Sequence, residues 1–175
     1  MPASRRRPSP PVPDVRRIGA DERVALLDRD DERALVAHRA VVADLADGAD
    51  DPAAAGRLYD AVRRAWSAQS PPADPEPLVE AFTTALGDLV LRLVARGGVP
   101  LRHGRLVPQP HGPVPGPLVL TDPAGTLVVA LESTVRRGWQ EPGSGWLTER
   151  AVDLADAALV LGGVSGPRPS RRRPR

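Results

Sequence analysis

The residues best suited to contact a partner cluster in the last third of the sequence. Arg136, Arg137 and Trp139 are nearly consecutive, and Trp146 follows closely. Tryptophan and arginine dominate interaction hot spots, and a guanidinium group can stack on an indole face. The cluster therefore predicts a binding surface for a protein or a ligand. The structural interpretation, which residue chemistry favours, is that Trp139 anchors a loop onto the sheet, with exposed arginines around it.

One acid could complete such a site. Asp88 follows Gly87 inside an otherwise apolar helical stripe, and the glycine indicates close approach of another backbone. We expect Asp88 to pair with Arg136 or Arg137 as a structural ion pair. The alternative is that these arginines clamp a carboxylate or phosphate ligand.

The histidines give weaker indications of chemistry. His38 lies on the apolar stripe of a predicted helix, where a histidine can act as a base or pH switch but more often bonds a carbonyl or carboxylate. His103 lies in a basic loop that lacks P-loop spacing and is followed by no helix start. There is no cysteine and no catalytic motif, so we predict no enzyme, no catalytic residue, no cofactor and no metal site. The alternative left open is an enzyme that uses His38 or His103 with a neighbouring acid.

Apolar spacing and helix-start residues predict the elements that position these side chains. Three N-terminal helices are expected, beginning near Asp30, Pro52 and Pro75 and ending near Ala46, Ser70 and Gly97. The stripe of the first consists of Leu35, His38, Val42 and Leu45.

The clearest local signal predicts a β-hairpin. Two apolar runs, Leu118–Leu120 and Leu127–Leu131, flank a turn in which Asp122, Pro123 and Gly125 occupy their preferred type I positions. A polar turn or short helix should follow over 132–140, and a last helix from about Trp146 to Leu161. Residues 99–107 predict a weak strand at most.

The fold class that follows is α+β: three N-terminal helices, a β-hairpin and a C-terminal helix, with the helices packed on a small antiparallel sheet. We place a single domain over 18–163. Segments 1–17 and 164–175 each carry five arginines and are predicted to be disordered basic tails. Residues 18–162 carry 14 arginines and 21 acids, a net charge of −7.

The charge distribution and hydropathy bound the function classes. The arginine-rich tails could contact nucleic-acid phosphates weakly and nonspecifically. No apolar run is long enough for a membrane span, and the N-terminal segment lacks the apolar core of a secretion signal. The prediction is a cytoplasmic protein without membrane association.

Four segments between residues 28 and 160 form a recognisable series. They are Arg33-x-x-x-x-His38-Arg39-x-Val41-x-x-x-Leu45, Ala85-Leu86-Gly87-Asp88, Thr121-Asp122-x-x-Gly125-Thr126, and Val135-Arg136-Arg137-x-Trp139 with Gly145-Trp146-Leu147. In this order they resemble the actinobacterial family known as domain of unknown function 3806. The resemblance implies the fold and no reaction, because the family is uncharacterised.

The functional prediction is a non-enzymatic protein-interaction or ligand-binding module. Its partner is an unidentified protein or a second copy in a homodimer. The predicted contact residues are Arg136, Arg137, Trp139, Trp146 and Asp88. The alternative is nucleic-acid association through the arginine-rich tails.

Overall fold

A computed structural model describes residues 14–46, 52–108, 116–141 and 143–163. These residues form an α+β fold with a five-stranded sheet and five helices. The predicted tails lie outside them, except for residues 14–17. In chain order the elements are β1 (Val15–Arg17), β2 (Glu22–Ala25), α1 (Arg29–Leu45), α2 (Pro52–Ser67), α3 (Glu76–Arg96), β3 (Arg102–Pro108), β4 (Leu118–Thr121), β5 (Leu127–Ala130), α4 (Glu132–Gln140) and α5 (Trp146–Gly163).

The predicted hairpin is confirmed as β4 and β5. The amide of Gly125 donates to the carbonyl of Asp122, and Gly125 has a φ of +70°. The Asp122 carboxylate accepts hydrogen bonds from the amides of Thr126 and Leu127. Those bonds lower the pKa of Asp122 although its partial burial raises it. Asp122, one of the residues from which the turn is predicted, therefore also stabilises it.

The sheet extends beyond this hairpin, in the order β1-β5-β4-β3-β2 with every neighbour antiparallel. The predicted tail boundary at residue 17 was wrong, because Val15–Arg17 pairs with β5. The weak strand signal over 99–107 becomes β3, between β2 and β4. Short, charged edge strands such as Glu22–Ala25 have little apolar pattern, so their pairing was not visible in the sequence.

The sheet is strongly curled. Its two edge strands, β1 and β2, are joined by only residues 18–21. A flat five-stranded sheet would separate its edges by roughly 19 Å, about the limit of what this connection can span. Across the closing edges, the Arg16 guanidinium donates two hydrogen bonds to the Glu22 carboxylate, at 2.5 and 2.7 Å. This bidentate pair links the two edges.

The curl gives the sheet two different faces. On the outer face, side chains such as Leu120 and Val129 join the helices in the main core. On the inner face, Val119, Val128 and Thr121 are also buried, and the two valines lie outside the core cluster that the helices share with the outer face. Successive strand residues point to opposite faces, so both faces of the hairpin are apolar.

The helices pack in one layer on the outer face. α3 is the central helix, in contact with α1, α4 and α5. α1 begins at Asp28, whose carboxylate accepts from the amides of Asp30 and Asp31 in a capping box. Leu45, expected in the buried stripe of α1, is instead half exposed. Among the described residues, each helix is too short or too polar to cross a lipid bilayer.

Candidate functional site

Trp139 lies in the core rather than on a surface. Only 2% of the residue is exposed, and its ring packs edge-on against Tyr59 and Trp66 at centroid distances of 5.6 and 5.7 Å. The five aromatic residues of the chain form one cluster that joins α2, α3, α4 and α5. Trp139 therefore anchors α4 among the helices, and the predicted contact surface loses its central side chain.

Trp146 belongs to the same cluster at its rim. Its ring stacks on Tyr59 at a centroid distance of 5.4 Å and packs directly on Gly138, where any β-carbon would overlap the indole. The two tryptophans are thus brought together by Tyr59. Burial among these rings raises the pKa of the Tyr59 hydroxyl.

Arg136 fastens α4 to α3. Its guanidinium donates to both carboxylate oxygens of Glu76 and to Glu132 one turn earlier in α4. These hydrogen bonds raise the pKa of Arg136 further above its ordinary value. The side chain is half exposed, but its charge is balanced by two carboxylates.

Arg137 points to another element. It donates a hydrogen bond to the carboxylate of Asp14, directly before β1. Arg136 and Arg137 are consecutive, yet they bind carboxylates on opposite sides of α4. They do not converge on a common ligand position.

The expected pairing of Asp88 with Arg136 or Arg137 was wrong. Asp88 accepts hydrogen bonds from Arg39 of α1, with Nε at 2.7 Å and a terminal nitrogen at 2.8 Å. The cause is tertiary: Asp88 lies beside α1, whereas Arg136 and Arg137 are paired with Glu76 and Asp14. The ion pair between Asp88 and Arg39 is structural and joins α3 to α1.

His103 explains the glycine beside Asp88. A β-carbon on Gly87 would lie 2.6 Å from His103 Nε2 and 2.9 Å from Leu131 Cδ1. Another element does approach α3 closely here, but with side chains rather than with its backbone. The imidazole is more than nine-tenths buried, 4.0 Å from Asp88. Burial lowers the pKa of His103, and Asp88 partly opposes the shift.

His38 faces a small polar cleft between α1 and α3. Its Nδ1 lies 3.0 Å from the Thr84 hydroxyl and its Nε2 lies 3.6 Å from Glu80. Arg105 closes one side of this cleft and is held by Asp31 at 2.8 Å. The cleft has a volume of about 50 Å³, enough for a few water molecules. Among the described residues, no three His, Cys, Asp or Glu side chains are grouped to hold a metal ion.

The opposite side of α1 forms an uncharged surface. From Ala34 to Ala43 the only polar residues are His38 and Arg39, and both contact α3. We call Val36, Ala37, Ala40 and Val41 the outer face of α1. All four residues are exposed, so this helix is apolar on its buried side and on its solvent side.

The other exposed valines do not form such a surface. Val160 and Val152 of α5 are 69% and 43% exposed, close to the 64% and 41% of Val36 and Val41. On α5, however, the exposed positions between them include Asp153 and Asp156. Single apolar residues among charges are ordinary on protein surfaces. On α1 the exposed charge between the valines is that of Arg39, which is paired with Asp88 of α3. Arg29, Glu32 and Arg33 border Val36 at the N-terminal end of the outer face. What distinguishes α1 is that the four residues of its outer face are themselves uncharged.

Helical spacing does not predict this surface, because the spacing identifies only the stripe of α1 that becomes buried. The available signal was the run Ala34-Leu35-Val36-Ala37-His38-Arg39-Ala40-Val41-Val42-Ala43, which is apolar around almost the whole helix. Helical periodicity identifies one face to bury, and the second face becomes informative only once α3 is seen to cover the first.

No protein-family model, curated protein or solved structure matches this chain. The resemblance to domain of unknown function 3806 is neither confirmed nor contradicted by these comparisons and stays a prediction. Functional conclusions rest on the geometry of the site.

Proposed function

We propose that this chain is a non-enzymatic interaction module that binds a protein partner through the outer face of α1. The observation that carries the proposal is the pair of exposed valines, Val36 and Val41, in a helical stretch from Ala34 to Ala43 whose two polar residues, His38 and Arg39, contact α3. An interaction module is also the function predicted from the sequence, but the proposed contact surface lies on α1 instead of around Trp139 of α4.

The physical argument is the cost of an exposed apolar helix face. A surface helix ordinarily carries charged or polar residues on the side away from the core. Contiguous apolar surface on a protein marks contact sites, because water is released when it is covered. The two polar residues of this stretch, His38 and Arg39, contact α3, and Arg39 stays half exposed beside Asp88. The four outer-face positions carry no charge of their own.

Nucleic-acid association through the arginines of 1–13 and 164–175 is the second candidate. These segments contain eight arginines and no acid, and phosphate neutralisation by arginine is strongly salt-dependent. Replacing Arg5, Arg6, Arg7, Arg171, Arg172 and Arg173 by glutamine in the full chain should abolish any such affinity. RNA binding that survives these replacements at low salt would contradict this second candidate.

Site-specific photo-crosslinking tests the leading proposal. A benzophenone amino acid is placed at Val36 in the full chain and, as the matched control, at Val160 on α5. Irradiation in the native host should give discrete adducts from position 36 and none from position 160. The adducts are identified by mass spectrometry.

The proposal depends on whether the adducts are specific to position 36. Adducts from position 36 that disappear when Val41 is also changed to glutamate support a docking surface on α1. No adduct from position 36, or the same products from both positions, would mean that the outer face of α1 is only a solvated helix surface.

A further inference from the structure

Resting on the proposed function, we infer that the partner on the outer face of α1 is a second copy of this chain, packed with the two α1 helices antiparallel. The evidence is the charge arrangement around the outer face. Arg33 lies at its N-terminal end and Asp44 at its C-terminal end, and both are exposed. The first turn of α1 also exposes Asp30 and Glu32, so the complementarity lies in the single positions Arg33 and Asp44 rather than in the net charge of the two ends.

Helical geometry places these residues on one side of the helix. At 100° per residue, Arg33, Ala37, Ala40 and Asp44 project within about 40° of a common direction. Val36 and Val41 flank this line on opposite sides. The contacts of α1 with α3 lie on the other side, through Leu35 and His38.

A two-fold axis midway between His38 and Arg39 makes the face complementary to itself. Val36 then opposes Val41 of the other copy, Ala37 opposes Ala40, and Arg33 opposes Asp44. Each pair occurs twice, as in any isologous contact. Apolar side chains meet at the centre, and opposite charges meet at both ends.

The charges also select the direction of packing. In a parallel pair in register, Arg33 would face Arg33 and Asp44 would face Asp44, which is repulsive at both ends. The central alanines allow the helix axes to approach toward the short end of the usual 8–10 Å range. Among the described residues, Arg33 makes an exposed intrahelical ion pair with Asp30, at 3.2 Å, and such a pair contributes little to stability.

The dimer should be weak. Three turns of helix on each side bury less than roughly 1,200 Å² in total, the lower range of specific interfaces. Self-association should therefore appear between micromolar and millimolar protein concentrations.

Charge exchange in the purified full chain is the decisive experiment, with dissociation constants from sedimentation equilibrium. Arg33→Asp and Asp44→Arg should each weaken the dimer roughly tenfold, because two attractive pairs become repulsive. The double variant Arg33→Asp/Asp44→Arg should recover most of the wild-type affinity. An equimolar mixture of the two single variants should also associate better than either alone.

The apolar centre is tested with a matched pair. Val36→Glu should abolish self-association, whereas Val160→Glu on α5 should leave it unchanged. Circular dichroism at a monomeric concentration checks that all variants fold. An alanine in place of the glutamate, Val36→Ala, gives a milder probe that should weaken the dimer without adding charge.

The outcomes separate this inference from the proposed function. A wild-type protein that stays monomeric to millimolar concentration would overturn the homodimer, and so would a dimer in which the double charge variant remains as weak as the singles. If position 36 still forms adducts with another protein in the host, the docking surface survives with a different occupant. If the wild type shows no self-association and position 36 forms no adduct in the host, both the homodimer and the docking surface are overturned.

Discussion

At the scale of single residues, the chain uses its few large side chains for packing. Five aromatic residues form one cluster in the core, and the one at the centre of the predicted binding cluster, Trp139, packs α4 against α2 and α3. A tryptophan near arginines is compatible with a hot spot and with a core anchor. Burial decides between the two.

Replacing Trp139 by alanine should lower the free energy of unfolding by about 3–5 kcal/mol, because a large buried side chain is lost and a cavity remains. Thermal and urea unfolding followed by circular dichroism measures this. Trp66→Ala is the control. Because Trp66 is only partly buried, its replacement should lower the free energy of unfolding by less. A Trp139→Ala protein that unfolds like the wild type while losing association would return Trp139 to the surface.

His103 should make stability depend on pH. Burial lowers its pKa. Below about pH 6.5, His103 is therefore protonated in the unfolded chain and still neutral in the folded chain. The free energy of unfolding must then fall as the pH drops through this region toward the folded pKa. Urea unfolding at pH 7.5 and 5.5 should show a steeper loss for the wild type than for His103→Gln.

Titration of the His103 ring by NMR in the wild type supplies a readout that does not depend on the variant. An imidazole titrating at or above the ordinary histidine pKa, or equal pH slopes in both proteins, would contradict this account of its burial.

At the scale of elements, helices followed from local pattern and the edge strands did not. α1 and α3 were expected from caps and apolar spacing, and their observed starts agree within a residue or two. β1 and β2 are short and largely polar. They become strands only because β5 and β3 offer unpaired hydrogen-bonding groups to them.

The Arg16–Glu22 pair should couple the two sheet edges. A double-mutant cycle with Arg16→Ala and Glu22→Ala should give a coupling free energy of about 1 kcal/mol at pH 7, given its bidentate geometry and partial burial. The hydrogen bond with Arg16 lowers the pKa of Glu22. The coupling should therefore be present above the ordinary glutamate pKa and shrink as the pH falls through the lowered value.

The cycle is measured by urea unfolding at pH 7 and pH 3. Additive effects of the two substitutions at pH 7 would show that the contact is not energetically significant and that backbone pairing alone closes the sheet.

At the scale of the whole molecule, a dimer through α1 makes stability concentration-dependent. Association of folded chains stabilises them by mass action, so the melting temperature of the wild type should rise with protein concentration. Val36→Glu should remove that dependence while Val160→Glu keeps it. Scanning calorimetry over a hundredfold range of concentration measures both. A wild-type melting temperature that does not change with concentration would contradict self-association.

Much of the architecture is predictable from the local sequence. The hairpin, the α+β class and the helix starts depend on turn residues, caps and periodicity, which act within a few positions. Asp122 and Gly125 define a turn wherever they occur, because the backbone conformation they favour is local.

The tertiary structure determined which side chains distant in the sequence contact each other. Asp88 pairs with Arg39 rather than Arg136, Trp139 is core rather than surface, and α1 exposes a second apolar face. Each outcome depends on which helix lies beside which, and a one-dimensional pattern contains no such distance. Side chains with the same chemistry become a site, a core or an ion pair only when the fold assigns their neighbours.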